Sequence, residues 1–204
     1  LRTQIVEGAY CDVFISAGQK QMNDIDIASK DNEKKQDFVL ADTRFDLLEN
    51  EIVLAVPAGN PAKIESFDDL GTDKLTLLAI GNSDVPVGKY AAEILTNLKL
   101  YDKLNDAGKI TFGSNTTEVT TQVAEGTVDA GIIYRTDVAS AVDPTALEIV
   151  AVAPEGTVAR AIYPAAVINV SKHPEESKAF LEYLRGDEAK AVLDKYGFMT
   201  DFAK

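Results

Sequence analysis

Cysteine, histidine and tryptophan are almost absent from this sequence. Its 204 residues include one cysteine, Cys11, one histidine, His173, and no tryptophan. A single cysteine cannot form a disulfide within the chain, and structural zinc sites need four Cys or His ligands. Cys11 lies in the apolar run "YCDVFIS", which is typical of a buried strand, whereas His173 precedes Pro174 at a helix start. The sequence therefore excludes an internal disulfide and a zinc cluster, and we do not expect a Cys/His catalytic pair.

Basic side chains are also scarce. Lys and Arg number 20 against 33 Asp and Glu, which gives a net charge of −13. Nucleic-acid binding needs a Lys/Arg footprint that neutralises phosphates, so this charge argues against a nucleic-acid partner and against docking on anionic lipid. A small anionic ligand remains compatible with it, because distant surface charges are screened within roughly 8–10 Å.

Long hydrophobic runs are missing as well. No stretch approaches the roughly 20 apolar residues that span a bilayer. Strand patterns alternate with amphipathic helical patterns, which predicts an α/β fold with mixed sheets flanked by helices. We expect strands near 11–16, 37–41, 51–57, 74–80, 108–112, 128–134, 147–153 and 161–170. We expect helices near 1–7, 19–28, 66–70, 87–99, 116–125, 136–141, 174–185 and 187–195.

The first residues have the pattern of a helix that has already begun. In "LRTQIVEGAYCD", Leu1, Ile5 and Val6 follow helical spacing, and no capping residue precedes them. The pattern therefore predicts that further sequence precedes Leu1 in the natural protein.

Two segments place a helix start directly after an apolar strand. In "DVPVGKYAAEIL" (84–95), Pro86 suits the first helical position and Gly88 lies in the first turn. In "GSNTTEV", Asn115 is a good N-cap, and Glu118 three residues later completes the spacing of a capping box. The strands "KLTLLAI" and "GKITF" precede these segments, so both turns are predicted to open at one sheet edge.

Helix N-termini at such an edge are suited to binding an anion. Each carries roughly half a positive charge and several N–H donors without intrahelical partners. The donors would come from Val87 with Gly88 and from Thr116 with Thr117. Tyr134 ends the strand "AGIIY" and would add a hydroxyl group. Ordinary βα turns that bind only water are the alternative interpretation at this point.

Several motifs resemble those of the periplasmic molybdate-binding proteins. "LRTQIVEGAYCDVFISAGQKQM" resembles the family pattern L-x-x-Q-I-x-x-G-A-P-A-D-V-F-I-S-A, and "VPVGKYA" resembles V-P-A-G-x-Y-A. "NTTEVTTQVAEGTVDAGIIYRTDVA" resembles N-V-R-x-V-L-x-x-V-x-x-G-E-A-D-A-G-I-V-Y-x-T-D-A. "YPAAVI" and the closing "FLEYLRGDEAKAVLDKYGF" fit too. The resemblance spans nearly the whole chain, with the motifs in the same order.

This resemblance implies a two-lobed periplasmic binding protein fold of type II that supplies molybdate or tungstate to an ABC importer. The oxyanion would be held by the backbone N–H groups of Val87 and Thr116 and by the hydroxyl group of Tyr134. No cofactor and no direct metal ligand from a side chain is implied. Val87 replaces the usual Ala and Thr116 the usual Val, which a backbone donor tolerates. The family's two serine ligands would lie upstream of Leu1, together with the N-terminal elements of lobe one.

The resemblance also implies lobe boundaries, partners and a location. Lobe one would comprise 1–56 and 159–204, without its N-terminal elements, and lobe two would comprise 57–158. Exposed strand edges in an incomplete lobe favour dimerisation or domain swapping. The protein would be periplasmic, or extracellular and anchored as a lipoprotein, after removal of a signal peptide that is not in this sequence. Its partners would be the oxyanion and the membrane subunits of the importer.

Three other functions stay open at the level of the sequence. The first is a receptor of the same fold for sulfate, phosphate or a small organic anion. The second is an enzyme on this fold, which would need a nucleophile, base or metal in its cleft. The third is the sensor domain of a transcription regulator. The sequence does not choose between molybdate and tungstate.

Overall fold

The chain folds as two units in the computed structural model, which describes residues 1–201. The first unit contains residues 1–49 and the chain from 161 onward, and the second contains Asn50–Arg160. The chain thus passes between the units twice, at 49/50 and at 160/161. The lobe boundaries at 56/57 and 158/159 that the sequence indicates remain a prediction.

Helices and strands alternate along the described residues. The helices are α1 (Arg2–Val6), α2 (Gln19–Asn23), α3 (Pro86–Asn97), α4 (Tyr101–Asp106), α5 (Thr116–Ala124), α6 (Arg135–Ala139), α7 (Pro174–Leu184) and α8 (Asp187–Lys195). The strands are β1 (Val13–Ile15), β2 (Phe45–Asn50), β3 (Ile52–Pro57), β4 (Leu78–Gly81), β5 (Ile110–Gly113), β6 (Ala130–Tyr134), β7 (Leu147–Val152) and β8 (Ala161–Val167). Short 3₁₀ helices cover Phe67–Gly71 and Pro144–Ala146. Within residues 1–201, no helix has the length and apolar character needed to cross a membrane.

The first unit is built on a three-stranded sheet in the order β1-β8-β2, with β1 antiparallel to β8. Successive residues of β8 point to opposite faces, as the pleat of a strand requires. Ala166 packs in a cluster with Phe14 and Met22, whereas Val167 packs in a second cluster with Leu181 of α7. Both faces of β8 are therefore buried, and β1 forms one edge of the sheet.

The second unit contains a mixed five-stranded sheet in the order β5-β4-β6-β3-β7. The strands β5, β4 and β6 are parallel, and β3 is antiparallel to both β6 and β7. One face packs against α3 and α4, and the other packs against α5. In β3, Leu54 points to the α3 side, whereas Val53 and Ala55 point to the α5 side. Every residue of β3, an interior strand of the sheet, is buried, which explains its continuous apolar sequence.

Three sequence predictions are wrong in detail. The strand expected at 37–41 is reduced, in the described chain, to one bridge between Val39 and Ile168, and a strand appears at Phe45–Asn50 instead. The side chain of Asn32 bonds to backbone groups of Asp26 and Gln36 and so holds residues 26–36, which lie just before the expected strand, in turns. The helix expected over 19–28 ends at residue 23, and helix α4 was not predicted.

Candidate functional site

The parallel strands β5, β4 and β6 end at one edge of the second unit's sheet. Gly81 of β4 is in register with Gly113 of β5, and the N–H of Asn82 donates to the carbonyl oxygen of Gly113 at 2.9 Å. On the other side of β4, Ala79 is in register with Gly131 of β6. The turns that lead into α3 and α5 therefore leave adjacent strands side by side, which confirms the sequence prediction that both open at the same edge.

Gly88 allows the first turn of α3 to pack directly on the end of β4. A Cβ atom at this position would lie 2.3 Å from the carbonyl oxygens of Gly81 and Asn82, which no side chain tolerates. Its N–H already donates to the carbonyl oxygen of Val85 at 2.9 Å. The glycine is thus required by helix packing, and the expectation that Gly88 presents its N–H to a ligand is wrong.

The backbone N–H of Val87, unlike that of Gly88, makes no hydrogen bond within residues 1–201. Val87 follows Pro86, which occupies the first helical position as predicted, and its side chain is fully buried beside Ala91 and Ile94. Among residues 1–201, no backbone or side-chain acceptor is bonded to its N–H. The buried side chain fixes the residue, and the free donor lies in the first turn of a helix, where orphan N–H groups are concentrated.

The start of α5 is held by side-chain caps. The Oδ1 atom of Asn115 accepts the N–H of Glu118 at 2.9 Å. The carboxylate of Glu118 accepts the N–H and the hydroxyl of Ser114, at 2.7 and 2.8 Å, which lowers its pKa. Asn115 is therefore the N-cap that the sequence predicts, although Glu118 bonds one residue further back than in a standard capping box. In the described part of the chain, the N–H groups of Thr116 and Thr117 have no acceptor.

Tyr134 ends β6, where it is paired with Ile52 of β3. Its ring is half-buried, and its backbone N–H donates to Oδ2 of Asp137 at 2.9 Å. The neighbouring Arg135 forms an ion pair with Glu51 and also donates its N–H to the carbonyl oxygen of Glu51. The positive charge beside Tyr134 is thus neutralised within the protein.

The carboxyl group of Asp137 was not singled out from the sequence. Burial raises its pKa to about 6, against a smaller lowering by the bond from the N–H of Tyr134. The available signal was its position as the third residue of a helix, where a carboxylate caps backbone N–H groups.

All three ligand residues predicted from the sequence, Val87, Thr116 and Tyr134, lie in the second unit at the carboxyl ends of β4, β5 and β6. Cys11 and His173 lie in the first unit. Within residues 1–201, no group of three His, Cys, Asp or Glu side chains is placed to hold a metal ion. The N–H groups of Val87 and Thr116 and the hydroxyl group of Tyr134 are all hydrogen-bond donors that carry no charge.

Comparisons with known proteins agree with this architecture. Residues 1–199 match the family model described as "Bacterial extracellular solute-binding protein". A Bacillus subtilis (strain 168) protein named "Putative ABC transporter substrate-binding lipoprotein YvgL" is 38% identical over 205 residues, which cover 98% of this chain and 72% of that one. The molybdate-binding protein ModA of Haemophilus influenzae is 32% identical over 202 residues, covering 97% of this chain and 74% of its own.

A solved structure supports the same assignment. It is titled "substrate binding domain of putative molybdenum ABC transporter from Clostridium difficile" and has a TM-score of 0.83 and 36% identity. The match covers 98% of this chain and 81% of that one. The predicted α/β periplasmic binding protein fold, with mixed sheets flanked by helices, is thereby confirmed. The chain belongs to the bacterial extracellular solute-binding proteins and is a solute-binding protein of the ABC transporter class.

Proposed function

We propose that this protein captures molybdate or tungstate and delivers it to the membrane subunits of an ABC importer. The ligand would be bound by the backbone N–H groups of Val87 and Thr116 and by the hydroxyl group of Tyr134. The observation that carries the proposal is the pair of helix starts on adjacent parallel strands, each with an N–H that has no acceptor within residues 1–201.

The proposed donors suit a small dianion. Two helix N-termini contribute roughly half a positive charge each, and their N–H groups can bind oxygen atoms without a buried Lys or Arg, whose desolvation would be costly. Arg135, the nearest basic residue in sequence to Tyr134, is already paired with Glu51. The proposed binding mode therefore relies on donors that carry no charge. The name of the Haemophilus influenzae relative supports molybdate as the ligand.

The same donors would discriminate between anions by size. A smaller dianion such as sulfate would leave one or more N–H groups unsatisfied, at a cost of about 1–3 kcal/mol for each buried group. The role is binding rather than catalysis, and it places the protein outside the cytoplasm, in the periplasm or on the outer cell surface. Anchoring as a lipoprotein after removal of a signal peptide is part of the proposal, and the name of the Bacillus subtilis relative supports it.

Isothermal titration calorimetry with a panel of anions tests the proposal. Molybdate and tungstate should bind with 1:1 stoichiometry and at least about tenfold more tightly than sulfate or phosphate, the ratio that about 1.4 kcal/mol produces. If sulfate, phosphate or a small organic anion binds more tightly than molybdate and tungstate, that anion is the ligand, and the protein is still a solute-binding receptor. Turnover of a bound compound, or binding of DNA by the natural protein, would instead favour the enzyme or regulator.

Self-association is a separate part of the proposal. The strand β1 lies at an edge of its sheet, and Ile15 on it is 38% exposed. Unpaired strand edges are sites where a second chain can add, by dimerisation or domain swapping. Light scattering over a range of concentrations tests this, and a monomeric mass throughout would contradict it.

A further inference from the structure

Asp137 lies at the corner where β6 becomes α6, three residues after Tyr134. Its Oδ2 atom accepts the backbone N–H of Tyr134 at 2.9 Å. A second hydrogen bond connects this corner to the residue between β2 and β3, since the N–H of Arg135 donates to the carbonyl oxygen of Glu51 at 2.9 Å. The backbone that carries the Tyr134 side chain is thus held at two successive N–H groups.

We propose that Asp137 is a positioning residue for oxyanion binding, because its bond to the backbone of Tyr134 fixes the direction in which that side chain leaves the sheet. The inference rests on the proposed function of Tyr134 as a ligand. The phenol oxygen is far from the backbone, so a small rotation at the end of β6 moves it by a large distance. Binding groups must be held within about 0.5 Å and 10–20° of the productive geometry. A bond that restrains this corner therefore acts on affinity without touching the ligand.

The surroundings of Asp137 make the strength of its hydrogen bond to the Tyr134 N–H depend on pH. It lines a cavity of about 440 Å³ between α5 and the α6 region, together with Thr117, Thr120 and Ser140. Burial in this wall raises the pKa of Asp137 to about 6. The carboxylate is a stronger acceptor than the neutral acid, so the bond to Tyr134 strengthens as the pH rises through this value.

Two acidic side chains share the cavity wall with Asp137, and Arg135 lies two residues before it on α6. Glu125 at the end of α5 and Asp143 after α6 line the same cavity. The elements that pack on α6 are α5, β3, β6 and β7, and β3 and β6 carry no charged side chain. The other charged groups on or beside these elements are engaged elsewhere: Glu118 with Ser114, Glu148 with the N–H of Gly59, Glu51 with Arg135, and Asp129 with the N–H groups of Thr76 and Leu77.

An NMR titration without ligand tests the bond itself. The amide signal of Tyr134 is followed from pH 4.5 to 8 in the wild type, in Asp137→Asn and in Glu125→Gln, which removes a carboxylate from the same cavity wall. The signal should shift with a midpoint near 6 in the wild type and in Glu125→Gln, and should stay constant in Asp137→Asn. A constant signal in the wild type, or an unchanged titration in Asp137→Asn, would overturn the inference.

Calorimetry with molybdate tests the consequence for binding. Asp137→Ala should weaken affinity about tenfold, and Asp137→Asn, which keeps an acceptor oxygen, should remain within about threefold of the wild type. Combined with Tyr134→Phe, Asp137→Ala should add less than about twofold, because residues that act through one another are not additive. An equal loss in both backgrounds would show that Asp137 does not act through the Tyr134 hydroxyl and would overturn the inference.

The two experiments separate this inference from the proposed function. A wild type that does not bind molybdate contradicts the proposed function and the binding half of the inference, whereas the titration still decides whether Asp137 holds Tyr134. A wild type that binds molybdate, with Asp137→Ala unchanged, contradicts the inference alone. If Asp137→Ala does not fold, the isosteric Asp137→Asn and its pH profile decide.

Discussion

Tyr90 and Tyr134 meet edge to face, with ring centroids 6.3 Å apart and ring planes inclined by 76°. Tyr90 lies in α3, one turn after the residues that begin it, and Tyr134 is the last residue of β6. Aromatic pairs of this geometry contribute about 0.5–1.5 kcal/mol beyond the area they bury. The contact therefore joins the helix start that presents Val87 to the strand end that presents Tyr134, and it does so without using any of the proposed ligand groups.

The hydroxyl group of Tyr134 can be removed while this ring contact is kept. Tyr134→Phe should weaken molybdate binding by about 1 kcal/mol or more, because one hydrogen bond to a charged ligand is lost. Calorimetry measures the change. Tyr101→Phe, which removes the same atom at the start of α4, serves as the matched control and should bind normally. Equal affinity of Tyr134→Phe and wild type would remove Tyr134 from the ligand shell.

The close approach of α3 to β4 makes Gly88 intolerant of any side chain. In Gly88→Ala, the new methyl group would lie 2.3 Å from two carbonyl oxygens, so the start of α3 must move away from the strand. We expect a loss of about 3 kcal/mol in the free energy of unfolding, as in other overpacked sites, and weaker molybdate binding.

Urea denaturation measures the stability of Gly88→Ala against Lys89→Ala, the exposed neighbour in the same turn. The control should lie within about 0.5 kcal/mol of the wild type, as is usual for surface substitutions. Wild-type stability of Gly88→Ala would mean that the helix start is not packed on the strand as described.

The cap at the start of α5 offers a test of the second helix. Asn115→Ala removes the acceptor for the N–H of Glu118, and loss of an N-cap costs about 1 kcal/mol. Fraying of the first turn also disturbs the N–H of Thr116, so molybdate affinity should fall together with stability. Thr121→Ala, an exposed change within α5, is the control for both measurements. Unchanged affinity in a destabilised Asn115→Ala would argue against Thr116 as a ligand.

Local signals explain which parts of the site the sequence could predict. Pro86 and Asn115 mark helix starts through their own backbone and side-chain chemistry, and both are found where they were expected. The parallel strands before them follow from apolar runs between helices. These features depend on residues close together in the chain, so no knowledge of the sheet order is needed to place them.

Long-range contacts explain what the sequence left out. The strand β2 pairs with β8, which lies more than a hundred residues later in the chain, and the single bridge of residues 37–41 is also made to that distant segment, between Val39 and Ile168. The sequence suggests Gly88 as a ligand donor because it does not reveal that the first turn of α3 packs on the backbone of Gly81 at the end of β4. Asp137 was missed because its elevated pKa arises from burial between two elements.

The raised pKa of Asp137 predicts an unusual contribution to the pH dependence of stability. An acid whose pKa is about 6 when folded and 3.8 when unfolded binds protons more tightly in the native state. Its contribution to the free energy of unfolding is therefore complete below pH 3.8, declines as the pH rises between 3.8 and 6, and is lost above 6. A difference of one pKa unit corresponds to about 1.4 kcal/mol, and partial solvent exposure reduces the total to about 1–2 kcal/mol.

Urea denaturation at several pH values from 4.5 to 7 isolates this contribution. Asp137→Asn keeps an acceptor oxygen but cannot ionise, so it should gain stability relative to the wild type as the pH rises, by about 1 kcal/mol over this range. Asp143→Asn is the control, because Asp143 lines the same cavity but hydrogen bonds from Thr145 lower its pKa. The difference in unfolding free energy between Asp143→Asn and the wild type should therefore stay constant above pH 4.5. If the curves of Asp137→Asn and wild type run parallel, the carboxyl group of Asp137 is not buried in the native state as the structure describes.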